Sequence, residues 1–279
     1  MMLNNPRLPL VLSIAGTDPS GGAGIQADIK AISATGCYAA TVITILVAQN
    51  TQGVQAIQEI PLPFIQQQID SVFSDLKFGA VKLGMLYNKK IILLVANSLK
   101  KYHPPFIVLD PVITAQSGDS LLKFDAINTI KKELFPLVTL ITPNIPEAEM
   151  LLGIKITNQK QMRSATERLA ETYNISVLLK GGHLNDPDSP DIFYNYSQKK
   201  FFCFNSPRID TPHTHGTGCT LSSTIASYLA QGYALVEAIS KAKTYLYQAI
   251  NAGKDLNLGK GNGPVNHFYF LKKVQYNAI

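Results

Sequence analysis

At 279 residues, 46% of them hydrophobic and 16% charged, the chain can bury a large core and is far from a disordered composition. Its formal charge of +6 is scattered, with no basic run denser than Asn88-Lys89-Lys90 or Lys131-Lys132, which excludes a nucleic-acid tract and leaves a mildly basic surface suited to anionic substrates. Three cysteines without CxxC spacing and five histidines without HExxH exclude a disulfide framework, a zinc site and a tightly held transition metal, and they fit a reducing cytoplasm.

In chain order, LPLVLSIAG (8–16) reads as a buried strand rather than a signal segment, since Arg7 alone supplies positive charge before it. IQADIKAISATG (25–36) follows as a helix with Ile25, Ile29 and Ile32 at helical spacing and Gly36 as its stop. TVITILVAQ (41–49) is a single β-branched strand, and the apolar run around it is too short to span a bilayer. PLPFIQQQIDSVFSD (61–75) begins a helix on prolines and keeps Ile65, Ile69, Val72 and Phe73 on one face. AVKLGML (80–86), FIVLDPVI (106–113), VTLITPN (138–144) and ISVLLKGG (175–182) are further strands, most of them separated by helical stretches. Residues 192–209 break the rhythm with a hairpin turning near Ser197-Gln198, after the loop NDPDSPD. A helix with Leu221, Ile225 and Leu229 at steps of four stops at Gly232, and a last helix runs from Leu235 to Ala252. Near-continuous apolar strands between helices predict an α/β fold, a mostly parallel sheet covered on both faces, in one domain over residues 1–279.

Ligands of such sheets bind at the carboxyl ends of the strands. The unusual residues gather there: Gly16-Thr17-Asp18, Gln49-Asn50, Gly84-Met85, Asp110-Pro111, Pro143-Asn144 and Lys180-Gly181-Gly182. The loop after the first strand contains Gly22-Ala23-Gly24-Ile25-Gln26-Ala27, a GxGxxA match. No acidic residue stands between Asp28 and Glu59, so the dinucleotide reading lacks its ribose anchor; the Walker pattern fails because Gly22, not lysine, follows Gly21. The loop reads instead as a floor where backbone approaches a small molecule closely. Asp28 is either a first-turn charge complementing the helix dipole or a polar contact to a ligand.

Gln49, with amide donors and an acceptor, suits the edge of a nitrogen heterocycle or a bond to nearby backbone. Asp110 can orient a hydrated Mg²⁺. Asn144 and Glu147 form an NxxE pair that is either helix capping or a metal and phosphate site. Lys180 offers a point charge to a phosphate. In HTHGTGCTLSS (213–223), the amides of Gly216, Thr217 and Gly218 precede a helix and form an anion hole from orphan donors and the dipole. The same field predicts a thiol pKa for Cys219 lowered from ~8.5 to about 3.5–7.5, against the plainer reading of a small apolar residue under the helix.

AGTDPSGGAGIQADIK, VAQNTQGV, KLGML, LDPV with AQSGD, TPNIPEAE, KGGHL, THGTGCTLS and GKGNGPVNH, in this order from residue 15 to 267, together resemble the hydroxymethylpyrimidine/phosphomethylpyrimidine kinases of the ribokinase superfamily. The resemblance implies a ribokinase-like kinase that moves the γ-phosphate of ATP, with Mg²⁺, onto 4-amino-5-hydroxymethyl-2-methylpyrimidine and then onto its monophosphate. It places Gln49, Asp28, Gly16, Met85 and Val112 in the pyrimidine pocket. Asn144 and Glu147 match a metal and phosphate pair, Asp110 and Lys180 lie beside them, and Lys243 matches a position near the nucleotide. Gly216, Thr217 and Gly218 match the anion hole and Cys219 the catalytic position, where the wider superfamily usually has aspartate. It further implies a homodimer, with neither membrane nor nucleic acid as partner. A pyridoxal kinase of the same fold, an NAD-dependent oxidoreductase and a silent pyrimidine-binding module are the competing classes.

Overall fold

Alternate residues of the first strand, β1 (Leu10–Ala15), serve opposite layers: Leu12 and Ile14 face one apolar cluster, Val11 the other. That two-sided burial produces the near-continuous apolar run seen in sequence. The protein is represented by a computed structural model that describes residues 8–113, 124–182, 184 and 190–271. The AQSGD stretch, His183 and residues 185–189 of the loop NDPDSPD lie outside them.

After β1 come α1 (Gly24–Ala34), β2 (Tyr38–Ile43), β3 (Ile45–Asn50), β4 (Gly53–Glu59), α2 (Leu62–Asp75), β5 (Ala80–Leu83), α3 (Lys89–Tyr102) and β6 (Ile107–Leu109). Then follow α4 (Phe124–Thr129), β7 (Leu140–Ile141), α5 (Ile145–Leu152), α6 (Gln159–Tyr173), β8 (Ser176–Lys180), β9 (Asp191–Asn195), β10 (Lys200–Phe204), α7 (Thr217–Ala230) and α8 (Leu235–Gly253). The main sheet has the order β10-β9-β8-β7-β6-β5-β1-β2, parallel from β8 to β2 and antiparallel at β9 and β10. Helices α2 to α6 supply the cluster on one face, and α1, α7 and α8 the cluster on the other.

Three sequence expectations change. TVITILVAQ is two strands in two sheets, because the chain leaves the main sheet at Thr44, whose hydroxyl bonds the Met85 carbonyl at 2.7 Å. β3 then pairs with β4 as a separate antiparallel hairpin. Ile29 is exposed while Ile25 and Ile32 are buried, since α1 turns only that narrower stripe toward the sheet. VTLITPN contributes just two residues of strand before Asn144 caps α5. The β9–β10 hairpin, turning over residues 196–199, and the helices α7 and α8 fall where the sequence predicts them.

Candidate active site

β1 sits between β2 and β5, so connections diverge from its carboxyl end, the place where sheets of this kind form their ligand crevice. Gly16 and Gly84-Met85 occupy that end. A Cβ on Gly16 would lie 2.8 Å from the Ile45 side chain and 3.6 Å from the Met85 sulfur. The hairpin folds over the crevice, anchored by Thr17 N–H to the Ile45 carbonyl (3.1 Å) and Val47 N–H to the Thr17 hydroxyl (2.9 Å). Its ladder slips between Ala48 and Gln49, an irregularity of the kind that re-aims a side chain. Gln49 Nε2 consequently lies 3.2 Å from His215 Nε2, which lies 2.7 Å from Asp18 Oδ2. The Gln49 region and the 216–218 loop are therefore neighbours.

Gly216 stands at φ 80° as the N-cap of α7, and a Cβ there would fall 1.7 Å from the Gly22 carbonyl oxygen. Only glycine combines that backbone with that approach. Two residues on, a Cβ on Gly218 would sit 3.0 Å from Asp110 Oδ2 and 3.4 Å from Lys180 Nζ. The helix N-terminus thus bears directly on a part-buried ion pair: Lys180 Nζ is 2.9 Å from Asp110 Oδ1, which also accepts the Thr142 hydroxyl at 3.2 Å. Thr217 N–H turns back to the Thr214 carbonyl at 3.3 Å. The amides of Gly218 and Cys219, in the first turn, have no intrahelical acceptor, the arrangement through which helix N-termini can take up anions.

Asn144 and Glu147 form a full capping box, Glu147 N–H to Asn144 Oδ1 (2.9 Å) and Asn144 N–H to Glu147 Oε2 (2.8 Å). The other Glu147 oxygen accepts the Ile113 N–H at 3.2 Å, beside Val112, a β-branched residue held at φ 41°. Capping is therefore real, yet it leaves a carboxylate buried near Asp110. Burial and the Asp110 charge raise the Glu147 pKa, against the pull of Lys180 and the two amides. Burial opposes the Lys180 ammonium, but Asp110 and Glu147 raise its pKa and keep it charged. Among the described residues no group of three or more His, Cys, Asp or Glu side chains gathers as a metal cage. Two carboxylates repelling one another do fit a hydrated Mg²⁺, which needs only one or two and keeps its waters.

The cysteine behaves opposite to expectation. Burial, with the Asp28 and Asp110 charges added, pushes the Cys219 thiol up to about 11, outweighing the Lys82 ammonium and the Gly24 N–H that point the other way. The helix start sits among carboxylates, and desolvation of a thiolate there costs more than the dipole returns.

Asp28 is also reassigned. It is not in the first turn of α1; it is fully buried, with Lys82 Nζ 2.8 Å from both carboxylate oxygens, the Ser13 hydroxyl at 2.5 Å and the Ser223 hydroxyl at 2.6 Å. These bonds tie it to β1, β5 and α7. Lys82 itself escaped the sequence reading, although a lysine inside the apolar AVKL strand signals a buried partner. Burial opposes its charge, and Asp28 holds its pKa well above the usual range.

Lys243 in α8 lies 2.9 Å from Asp191 Oδ2, while Asp191 Oδ1 accepts the Gly181 N–H at 2.9 Å, so it is joined to the Lys180 end of β8. It also lines a cavity of about 330 Å³ with Cys203, Pro207 and Tyr247. Asp18 and His215 were within singled-out stretches without a role, because their contact spans 197 residues. The GKGNGPVNH segment acts as a strap. Gly261 N–H and Asn262 N–H bond the hydroxyl and carbonyl of Thr51 at the hairpin tip, and Gly263 meets both His213 and His215.

Backbone amides at the start of α7 and the Lys180 ammonium meet at the carboxyl ends of a mostly parallel sheet, and the solved structures that share this fold are small-molecule kinases, which defines the class as a ribokinase-like kinase. The chain belongs to the phosphomethylpyrimidine kinase family, whose pattern matches residues 18–266. The hydroxymethylpyrimidine/phosphomethylpyrimidine kinase of Salmonella typhimurium is 46% identical over 260 residues, 92% of this chain and 97% of its own. A thiamine biosynthesis bifunctional protein of Geobacter sulfurreducens is 46% identical over 278 residues, 98% of this chain, which spans 56% of that longer protein. The crystal structure of phosphomethylpyrimidine kinase from Clostridium difficile superposes with a TM-score of 0.77 at 44% identity, over 87% of this chain and 99% of that one. Pyridoxal kinase of Bacillus subtilis in its ADP complex gives 0.87 at 32% identity, over 95% and 99%. The backbone thus serves both vitamin kinases, and side chains must choose the ring. Among the described residues no helix is long and apolar enough to cross a membrane.

Proposed function

We propose that the chain, as one kinase unit over residues 1–279, transfers the γ-phosphoryl group of ATP to the hydroxymethyl oxygen of 4-amino-5-hydroxymethyl-2-methylpyrimidine, and then a second one to the monoester phosphate. In each step an acceptor oxygen bonds the γ-phosphorus, the bond to the β-phosphate oxygen breaks, and ADP leaves; the first step also releases the hydroxyl proton. The ring rests on Gly16 and Met85, flanked by Val112, with Gln49 on its edge and Asp28 supporting from below. Gly216 and Gly218 shape the amide-lined hole, Thr217 turns its start, and Lys180 neutralises charge developing on the phosphoryl oxygens. Lys243, beyond Asp191, lies toward the nucleotide, and Asn144 holds Glu147 in place. Asp110 and Glu147 would hold a hydrated Mg²⁺, which would supply further charge neutralisation to ATP. Cys219, protonated at neutral pH, offers a neutral contact to either acceptor.

One observation carries this reading: the loop that meets Gly22 and Gln49's partner His215 at one end meets Asp110 and Lys180 at Gly218, two residues from its glycine cap. An acceptor and a triphosphate would therefore share one crevice. Cytoplasmic location and homodimer formation complete the proposal; Leu46, Val54 and Ile57, exposed on the hairpin, support self-association, which sedimentation tests. The decisive assay supplies Mg-ATP and the hydroxymethylpyrimidine and resolves mono- and diphosphate over time. Absence of both products overturns the reading. The superposition with pyridoxal kinase favours pyridoxal as the second reading, and faster turnover on pyridoxal than on the pyrimidine would establish it instead.

A further inference from the structure

His215 Nε2 faces two partners, Asp18 Oδ2 at 2.7 Å and Gln49 Nε2 at 3.2 Å. A ring nitrogen either carries a hydrogen or offers a lone pair, never both. Asp18 decides which. Its Oδ1 accepts the Ser20 N–H (2.9 Å) and hydroxyl (2.6 Å), and its Oδ2 accepts the Ala23 N–H (2.7 Å). Burial works against its charge, but the bonds from His215, Ser20 and Ala23 bring its carboxyl down to about 2. An ionised carboxylate only accepts, so Nε2 carries a hydrogen whether the imidazole is neutral or cationic.

A Gln49 N–H facing that N–H sets donor against donor. A half-turn of the amide, which leaves its shape unchanged, places Oε1 there to share the Nε2 hydrogen and turns the NH₂ group away. The bulge at Gln49 and the strap on Thr51 hold the side chain within reach.

We propose that His215, backed by Asp18, is a positioning residue that fixes which way round the Gln49 amide stands and thereby selects the heterocycle edge the site accepts. This rests on the reading that Gln49 meets the substrate ring. With Oε1 toward His215, the site asks for a ring donor on that side and an acceptor beside it. An exocyclic amino group next to an unprotonated ring nitrogen supplies that order. A ring oxo group next to a ring N–H supplies the reverse. The ring cannot turn over to compensate, because its hydroxymethyl group must still reach the anion hole.

The test measures kcat/KM with Mg-ATP for 4-amino-5-hydroxymethyl-2-methylpyrimidine and for its 4-oxo counterpart, on wild type, His215→Leu and His215→Asn. The preference for the amino ring is expected to fall at least tenfold in His215→Leu, mainly through KM, because the amide is then free to turn. His215→Asn, whose N–H can again bond Asp18, is expected to restore part of it. Equal losses on both rings, as a merely structural role would give, overturn the proposal. Should His215→Leu fail to fold, Asp18→Asn removes the acceptor-only partner with His215 in place, and an amino-to-oxo ratio unchanged from wild type overturns the proposal there. Wild-type protein that does not phosphorylate the amino ring overturns the substrate reading itself, a distinct failure that removes the proposal with it.

Discussion

Cys219 shows how local charge overrules a helix terminus. Its thiol is held at about 11 by burial and by Asp28 and Asp110, so at neutral pH it is a neutral S–H. A carboxylate in its place would join two others and stand beside the monoester phosphate, itself carrying about −1.5 to −2 charge at pH 7. Cys219→Asp is therefore expected to slow the second phosphorylation at least tenfold more than the first, read by following the two products separately; equal losses reject the electrostatic account. Cys219→Ser, still neutral, should keep the two steps in proportion. Beneath it, the Lys82–Asp28 pair has no solvent to fall back on. Lys82→Met strands a buried carboxylate and should cost roughly 3–5 kcal/mol, measured by urea unfolding. These two residues also mark where sequence reading reaches its limit at this scale. The GTGC stretch announces an anion hole through its glycines, but the sign of the thiol shift depends on carboxylates 109 and 191 residues away in the chain, Asp110 and Asp28.

The start of α7 performs two tasks that substitution can separate. At Gly216 a Cβ meets the Gly22 carbonyl at 1.7 Å and the backbone is left-handed, so Gly216→Ala is expected to destabilise the fold by roughly 2 kcal/mol or more. At Gly218 a Cβ meets only side-chain ends, Asp110 Oδ2 at 3.0 Å and Lys180 Nζ at 3.4 Å, which can give by a few tenths of an ångström. Gly218→Ala should leave thermal unfolding within about 1 kcal/mol of wild type while lowering kcat on the order of tenfold to a hundredfold, because misplacing a charge-bearing group is enough to slow transfer. A Gly218→Ala variant with full kcat would separate the Asp110–Lys180 pair from the chemistry. At this scale most elements were legible, since β1, β6 and β8 are apolar runs and α7 keeps Leu221, Ile225 and Leu229 in step. The hairpin was not. Thr44 has the same β-branched character as its neighbours, and the break of one apparent strand into two sheets rests on bonds remote in sequence, among them its hydroxyl to Met85 and the Thr17 N–H to Ile45.

Across the whole molecule, the last segment closes the site by joining parts remote in sequence. The strap holds the hairpin tip at Thr51 and the anion-hole loop at His213 and His215, then ends in His267, which is buried against α7. His267 Nε2 is 3.0 Å from the Thr220 hydroxyl, and its carbonyl accepts the Tyr245 hydroxyl at 2.7 Å. Burial, with the Lys30 charge added, lowers its pKa from 6.5 to about 4, so the folded state holds a neutral imidazole. The sign follows from linkage. Between those values the unfolded chain binds the proton more readily than the folded one, so stability falls as pH drops through about 6.5 and stops falling below about 4. From pH 7.5 to 5 this one group should remove about 2 kcal/mol of unfolding free energy. His267→Gln keeps a neutral side chain that can still accept from Thr220 and does not titrate. Urea unfolding at both pH values should show the wild type losing about 2 kcal/mol more than the variant, with the strap giving way first as the Gly261, Asn262 and Gly263 amides gain hydrogen exchange. Parallel pH dependence in the two proteins would mean that His267 is not the group through which acid loosens the closed site.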